Sequence, residues 1–127
     1  MGRKILLVED DRHIARALSL RLVSLGHTVL VAGEGEAALS TAVSSNPDLV
    51  LLDINLPGDD GLSIARRMQS IPQISATPFA FLTASRQPGL RERAAELGAI
   101  AFLEKPFTTA DLIEAVELSQ HATEDAS

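Results

Sequence analysis

Cysteine, tryptophan and tyrosine are all absent from this 127-residue chain, and four phenylalanines are its whole aromatic content. Without cysteine there is neither a disulfide framework nor a thiolate metal site. Without tryptophan or tyrosine, stacking on nucleic-acid bases has little support. No apolar run approaches the roughly 20 residues of a transmembrane helix, and no signal-peptide pattern opens the chain; a soluble cytoplasmic protein is the expectation. Positive charge is short as well. Eleven Lys and Arg against 17 Asp and Glu leave a net charge of −6, which argues against nucleic acid or an anionic membrane as a direct partner. What is present is ordinary for a globular chain: 46% hydrophobic and 22% charged residues, enough for one domain with its own core.

The pattern alternates strand and helix along the whole chain. Lys4–Val8 is an apolar strand, and Asp11 to Leu25 places Ile14, Leu18, Leu22 and Leu25 on one helical face before Gly26 ends it. Thr28–Ala32 predicts a second strand. Gly35–Ser45 predicts a second helix with Ala38, Leu39, Ala42 and Val43 on one face, stopped by Asn46-Pro47. Leu49–Asp53 is the third strand, and Gly61 to about Ser70 the third helix, with Leu62, Ile64, Ala65 and Met68 apolar. After an irregular stretch over 71–78, Phe79–Thr83 predicts a strand, Gly89–Leu97 a helix and Ile100–Leu103 a strand. The last helix begins at Thr108 with a capping-box-like Thr-Thr-Ala-Asp and carries Leu112, Ile113 and Val116 on one face. Five strands that read as fully buried, separated by helices, predict an α/β doubly wound parallel sheet. Residues 1–121 form the expected domain, and 122–127 a frayed polar tail.

Carboxylates gather at the ends of these strands. The first strand runs into Glu9-Asp10-Asp11, the third ends in Asp53, the fourth in Thr83, and Lys105-Pro106 follows the fifth. Ligands of open α/β sheets bind beyond the carboxyl ends of the strands. With the first and third strands adjacent, Asp10, Asp11 and Asp53 converge, and a hard cation such as Mg²⁺ relieves their repulsion. The competing reading is that Asp10 and Asp11 only cap the helix that follows. Asp53 is the candidate nucleophile, Lys105 its counter-charge and Thr83 a hydroxyl donor. The isomer of the Lys105–Pro106 bond is open at this level. His13, His27 and His121 fall outside the rim and read as solvated surface residues.

Taken in order, Asp10-Asp11, the run Asp53-Ile-Asn-Leu-Pro-Gly-Asp-Asp-Gly61, Thr83-Ala84 and Lys105-Pro106-Phe107 resemble the response-regulator receiver domains of two-component signalling, over essentially the full length. The resemblance implies a flavodoxin-like strand order 2-1-3-4-5, the order for which the chemotaxis receiver is a standard example. It implies that Asp53 accepts a phosphoryl group from a histidine kinase or a histidine phosphotransfer protein. Asp10 and Asp11 then hold Mg²⁺ with Asp53 and the backbone carbonyl of Asn55, while Thr83 and Lys105 bind the phosphoryl oxygens. Thr83 and Phe102 occupy the switch positions. Many relatives have tyrosine where Phe102 stands, and phenylalanine fills the same space without an outward hydrogen bond. Asn55 and Ser85 occupy positions that tune the phosphoryl lifetime, and both are neutral here.

A phosphohydrolase of the haloacid dehalogenase type also uses a strand-end aspartate, but it needs an acid two residues on, where this chain has Asn55. A flavodoxin-like cofactor binder needs a neutral loop after the first strand, which Glu9-Asp10-Asp11 is not. A receiver-like scaffold with vestigial chemistry is disfavoured because every key position is filled. The expected output is docking of an effector protein or domain on the face made by the fourth helix, fifth strand and fifth helix. The chain is either a stand-alone receiver or part of a longer protein. Asp111–Gln120 has no lysine or arginine, so a receiver dimer using basic residues of the last helix is not expected, and a monomer or weak dimer is.

Overall fold

The computed structural model describes the backbone of residues 2–126 and side chains as far as Ala122. A five-stranded parallel sheet is built from β1 (Lys4–Val8), β2 (Thr28–Ala32), β3 (Leu49–Asp53), β6 (Phe79–Thr83) and β7 (Ala101–Glu104), in the order β2-β1-β3-β6-β7. Two-residue strands β4 (Asn55–Leu56) and β5 (Asp59–Asp60) form a separate antiparallel hairpin. Counting the sheet strands alone gives the expected order 2-1-3-4-5. The helices are α1 (Arg12–Ser24), α2 (Gly35–Ser45), α3 (Gly61–Gln69), α4 (Leu90–Glu96) and α5 (Thr109–Ala126).

Two-residue periodicity divides the core into two layers. Leu6, Val8, Val50, Leu52, Phe79 and Phe81 point to the side covered by α2, α3 and α4. Ile5, Leu7, Leu49, Leu51, Ala80 and Leu82 point to the side covered by α1 and α5. The register Ile5↔Leu49 and Leu7↔Leu51 keeps like-facing residues opposed, because a slip of one residue would exchange the two faces.

Several details depart from the sequence reading. Only β1, β3 and β6 are buried through their apolar residues; β2 and β7, each with a neighbour on one side only, are half-exposed. The last strand lies one residue later than predicted, because Glu104 pairs with Thr83 and backbone pairing, not polarity, sets its end. Leu25, Val43 and Ile113 lie at the margins of their helical faces and are exposed, while Ala15 and Ala115 are buried in their helices. Thr108 precedes α5 as its cap: its N–H donates to Asp111 Oδ2 (2.8 Å), and the Asp111 N–H donates to Thr108 Oγ1 (3.1 Å). Helix α5 is bounded at Ala126, and the frayed polar tail expected over 122–127 falls on residues whose side chains, beyond Ala122, lie outside the described ones. Ser127 lies outside the described residues.

Candidate functional site

The carboxyl ends of β1, β3, β6 and β7 meet on one rim, and backbone pairing continues just past them. Glu9 N–H donates to Ala32 O (3.0 Å), Ile54 N–H to Leu82 O (3.2 Å) and Lys105 N–H to Thr83 O (2.7 Å). Rim side chains are therefore aimed by the sheet and not by free loops. Lys105 Nζ donates to Glu9 Oε1 at 2.8 Å and to Asp53 Oδ2 at 3.3 Å. Asp53 Oδ1 accepts from the N–H of Asn55 at 3.1 Å. The Thr83 hydroxyl is buried at the strand end and accepts from the Ser85 N–H at 2.9 Å, leaving its own O–H free to donate. The Lys105–Pro106 peptide bond is cis.

Oxygens of Glu9, Asp10 and Asp53 all lie within 4.8 Å of one another. Glu9 and Asp53 are buried and Asp10 is exposed, so the cluster opens to water on one side. Burial pushes the Glu9 carboxyl above its ordinary value; the hydrogen bond from Lys105 works against this, and the neighbouring Asp53 adds to it. Burial would lower the Lys105 ammonium, but its bond to Glu9 and the pull of Asp53 outweigh burial and raise it. One cation among three carboxylates leaves excess negative charge. Three hard oxygen donors open to solvent fit a divalent cation such as Mg²⁺, which keeps several waters.

Of the residues predicted to gather here, the structure brings Asp10, Asp53, Thr83 and Lys105 together and leaves Asp11 out. The Asp11 carboxylate caps α1, accepting from the N–H groups of His13 (2.9 Å) and Ile14 (3.2 Å), a strong preference for Asp at that position. Its place in the cluster is taken by Glu9, which was not among the predicted ligands. The signal was present: a helix starting at Arg12 claims the residue before it as cap, and this shifts the acidic pair back by one.

The loop after Asp53 is shaped for close approach. Gly61 donates its N–H to Ile54 O (2.8 Å), and a Cβ at Gly61 would stand 2.4 Å from the Asp53 carbonyl oxygen. Asn55 faces Asp60 across the hairpin, whose turn is Pro57-Gly58 with Gly58 at φ +71°. Asp59 is held by Arg67 (3.4 Å), which also pairs with Glu36.

Phe102 is half-buried on β7 and packs on the α2–α3–α4 side of the core. The Arg91 guanidinium lies 4.9 Å from its ring centroid, and Arg91 and Arg86 both reach Glu104 (2.7 and 3.5 Å). Ser85 and Phe102 line a groove of about 320 Å³ between α4 and β7. His13 and His121 are exposed, but His27 is half-buried and its Nδ1 accepts from the Arg3 N–H (3.1 Å).

A doubly wound α/β domain thus gathers a buried strand-end aspartate, an acidic cluster, a hydroxyl and a lysine on one rim of its sheet, the architecture of a receiver-type signalling domain. The chain belongs to the response regulator receiver domain family, whose sequence profile matches residues 5–117. It is 38% identical over 118 residues to the transcriptional regulatory protein PdtaR of Mycobacterium tuberculosis, an alignment covering 92% of this chain and 56% of that protein. The chain thus spans little more than half the length of that relative. It is also similar to the receiver domain of the sensor histidine kinase PA1611 from Pseudomonas aeruginosa, solved with magnesium coordinated in its active-site cleft (32% identity, TM-score 0.83, 92% of this chain and 96% of that one). The chemotaxis protein CheY4 of Vibrio cholerae shares the fold at 27% identity and TM-score 0.84, over 92% of this chain and 98% of that one. No helix among the described residues is long and apolar enough to cross a membrane.

Proposed function

We propose that Asp53 accepts a phosphoryl group from a phosphohistidine of a histidine kinase or phosphotransfer protein and stores it as an acyl phosphate. The observation that carries this is the placement of one buried carboxylate between a lysine ammonium and an acidic cluster at the sheet rim. A carboxylate oxygen of Asp53 attacks phosphorus, the P–N bond breaks, and the departing imidazole nitrogen takes the electron pair and a proton. Lys105, already within 3.3 Å, neutralises charge on the phosphoryl oxygens, and the free O–H of Thr83 donates to one of them. Asp10, Asp53, the carbonyl of Asn55 and Glu9, directly or through water, would hold Mg²⁺. When bound, the cation supplies charge neutralisation among the carboxylates and the incoming phosphoryl group.

Transfer draws Lys105 and Thr83 toward the phosphoryl group, and Phe102 and the α4–β7–α5 face report the change to an effector protein or domain as a shift between two populations. Arg91 lies over the Phe102 ring on that face, so a change in the position of Phe102 alters this contact. The relative's name, a transcriptional regulatory protein, makes control of transcription one output of this kind. Residues 1–121 act as the receiver unit, in the cytoplasm, as a signalling device and not a turnover enzyme. Asn55 places no titratable acid where a phosphohydrolase needs one.

The test is incubation with Mg²⁺ and a small acyl phosphate, read by intact mass. Addition of one phosphoryl group, abolished by a chelator, is expected. An unmodified chain, or sustained multiple turnover of a phosphomonoester, would overturn the reading.

A further inference from the structure

Most of the carboxylate rim is aimed by the parallel sheet: Glu9 follows β1, Asp53 ends β3, Thr83 ends β6 and Lys105 follows β7. Asn55 is the exception. It belongs to the β4–β5 hairpin, which pairs with none of the five sheet strands. An isolated two-stranded hairpin is marginal at best in water, so the placement of Asn55 has to come from the hairpin's neighbours.

Two attachments supply it. On the inner side Leu56 is buried in the core. On the outer side Asp59, opposite Leu56 in the hairpin, is held from α3. Its Oδ2 accepts from Arg67 Nη1 at 3.4 Å, and its Oδ1 accepts from the N–H of Asp60 at 2.9 Å. The second terminal nitrogen of Arg67 donates to Glu36 Oε1 of α2. Helix α2 begins at Gly35, where a Cβ would stand 2.9 Å from Asp59 Oδ2, so the missing side chain leaves room for the carboxylate against the helix start. That place suits a negative charge, and the N-cap Glu34 makes no side-chain bond of its own there. One guanidinium thus joins α2, α3 and the hairpin, which takes the planar fork of arginine and not the point charge of lysine. From Asp59 the path to the rim is short. Asp60 faces Asn55 across the hairpin, and the Asn55 N–H donates to Asp53 Oδ1 at 3.1 Å.

We propose that Arg67 is a positioning residue for the cation site: by holding Asp59 between α2 and α3 it sets the β4–β5 hairpin, and with it the Asn55 carbonyl, where that carbonyl can serve as a ligand. This rests on the Mg²⁺ site proposed above and adds to it a residue outside the rim. The sign of the effect separates positioning from simple charge. Removing a cation from the neighbourhood of a divalent-ion site relieves repulsion and tightens the ion; losing Arg67 displaces a ligand and weakens it. Arg66 supplies the comparison, being exposed on the same helix and in no ion pair among the described residues.

Titration calorimetry of Mg²⁺ with no phosphoryl donor present tests this, on variants whose folding is checked by circular dichroism. Arg67→Met and Asp59→Asn should each weaken Mg²⁺ about tenfold, the size typical of groups that orient a metal ligand. The double variant keeps the wild-type net charge of −6 and should bind as weakly as either single one, because both changes cut the same link. Arg66→Met should bind as the wild type does, or tighter. In the metal-free protein, the amides of Asn55 and Gly61, bonded to Asp53 and Ile54, should exchange faster in Arg67→Met by a larger factor than the amide of Leu51 in the sheet. A wild type that binds no Mg²⁺ would overturn the cation site and this inference with it. With Mg²⁺ bound by the wild type, four results would each overturn the role of Arg67 alone: undiminished affinity in Arg67→Met, wild-type affinity regained in the double variant, an equal loss in Arg66→Met, or exchange quickened no more at Asn55 and Gly61 than at Leu51.

Discussion

Replacing Lys105 with methionine keeps most of the side-chain length and removes the cation shared by two buried carboxylates. Its ammonium stands 2.8 Å from Glu9 and 3.3 Å from Asp53, whose side chains are 2% and 7% exposed. Left without it, two carboxylates within 4.8 Å of each other repel by about 3 to 4 kcal/mol at an effective dielectric near 20. The folded variant escapes by holding a proton. For a carboxyl whose ordinary pKa is 4.5, that uptake costs about 1.4 kcal/mol per pH unit above it, or about 3 kcal/mol at pH 7. This is close to the loss typical of breaking a buried ion pair. The folded variant binds a proton that the unfolded chain releases above pH 4.5, so the loss grows as pH rises from there toward neutrality. Wild-type Lys105 does not confuse the comparison. Its pKa is raised from 10.5, so its contribution is intact below that pH and fades only as pH climbs through the raised value. Urea denaturation of both proteins across the acidic-to-neutral range, with a chelator present, reads the difference directly. A gap that is flat with pH, or below about 1 kcal/mol at neutrality, the size of an exposed pair, would refute charge compensation by Lys105.

Asp11→Ala should cost about 1 kcal/mol of stability through the lost cap while leaving Mg²⁺ affinity unchanged in titration calorimetry. Asp10→Asn should do the reverse, weakening Mg²⁺ by about tenfold or more without loss of stability. Gly61→Ala forces a Cβ against the Asp53 carbonyl at 2.4 Å; a loss of about 1 to 3 kcal/mol and slower phosphorylation are expected, read by thermal melting and mass kinetics. Burial holds the His27 imidazole below its ordinary 6.5, with nearby positive charge adding to the effect. The unfolded chain therefore binds that proton first, and stability should decline as pH falls through 6.5; His27→Gln should flatten the decline in pH-dependent melts.

The fold was legible because its code is local and redundant. Lys4–Val8, Thr28–Ala32, Gly35–Ser45, Leu49–Asp53 and Phe79–Thr83 were bounded correctly from apolar runs and their stop residues. The last strand was placed one residue early because Glu104 looks like an end, whereas its backbone partner Thr83 lies 21 positions upstream and is invisible to local pattern. At the rim, Asp53 is marked by being the polar end of a buried apolar strand, and Lys105 by following directly on the last strand. The acidic pair was misplaced by one because three carboxylates in a row offer two pairings, and only the cap geometry of α1 removes Asp11 from the choice. The Arg91–Phe102 stacking and the two arginines on Glu104 join segments whose contact depends on how α4 lies against β7, which no spacing encodes.

The central claim is that Asp53 itself carries the phosphoryl group. After reaction with an acyl phosphate and Mg²⁺, borohydride reduction converts an aspartyl phosphate to homoserine, and peptide mass mapping then locates it. The account predicts homoserine at position 53 alone and an unlabelled Asp53→Asn chain. Label at Asp10, at a histidine, or undiminished in Asp53→Asn would contradict it.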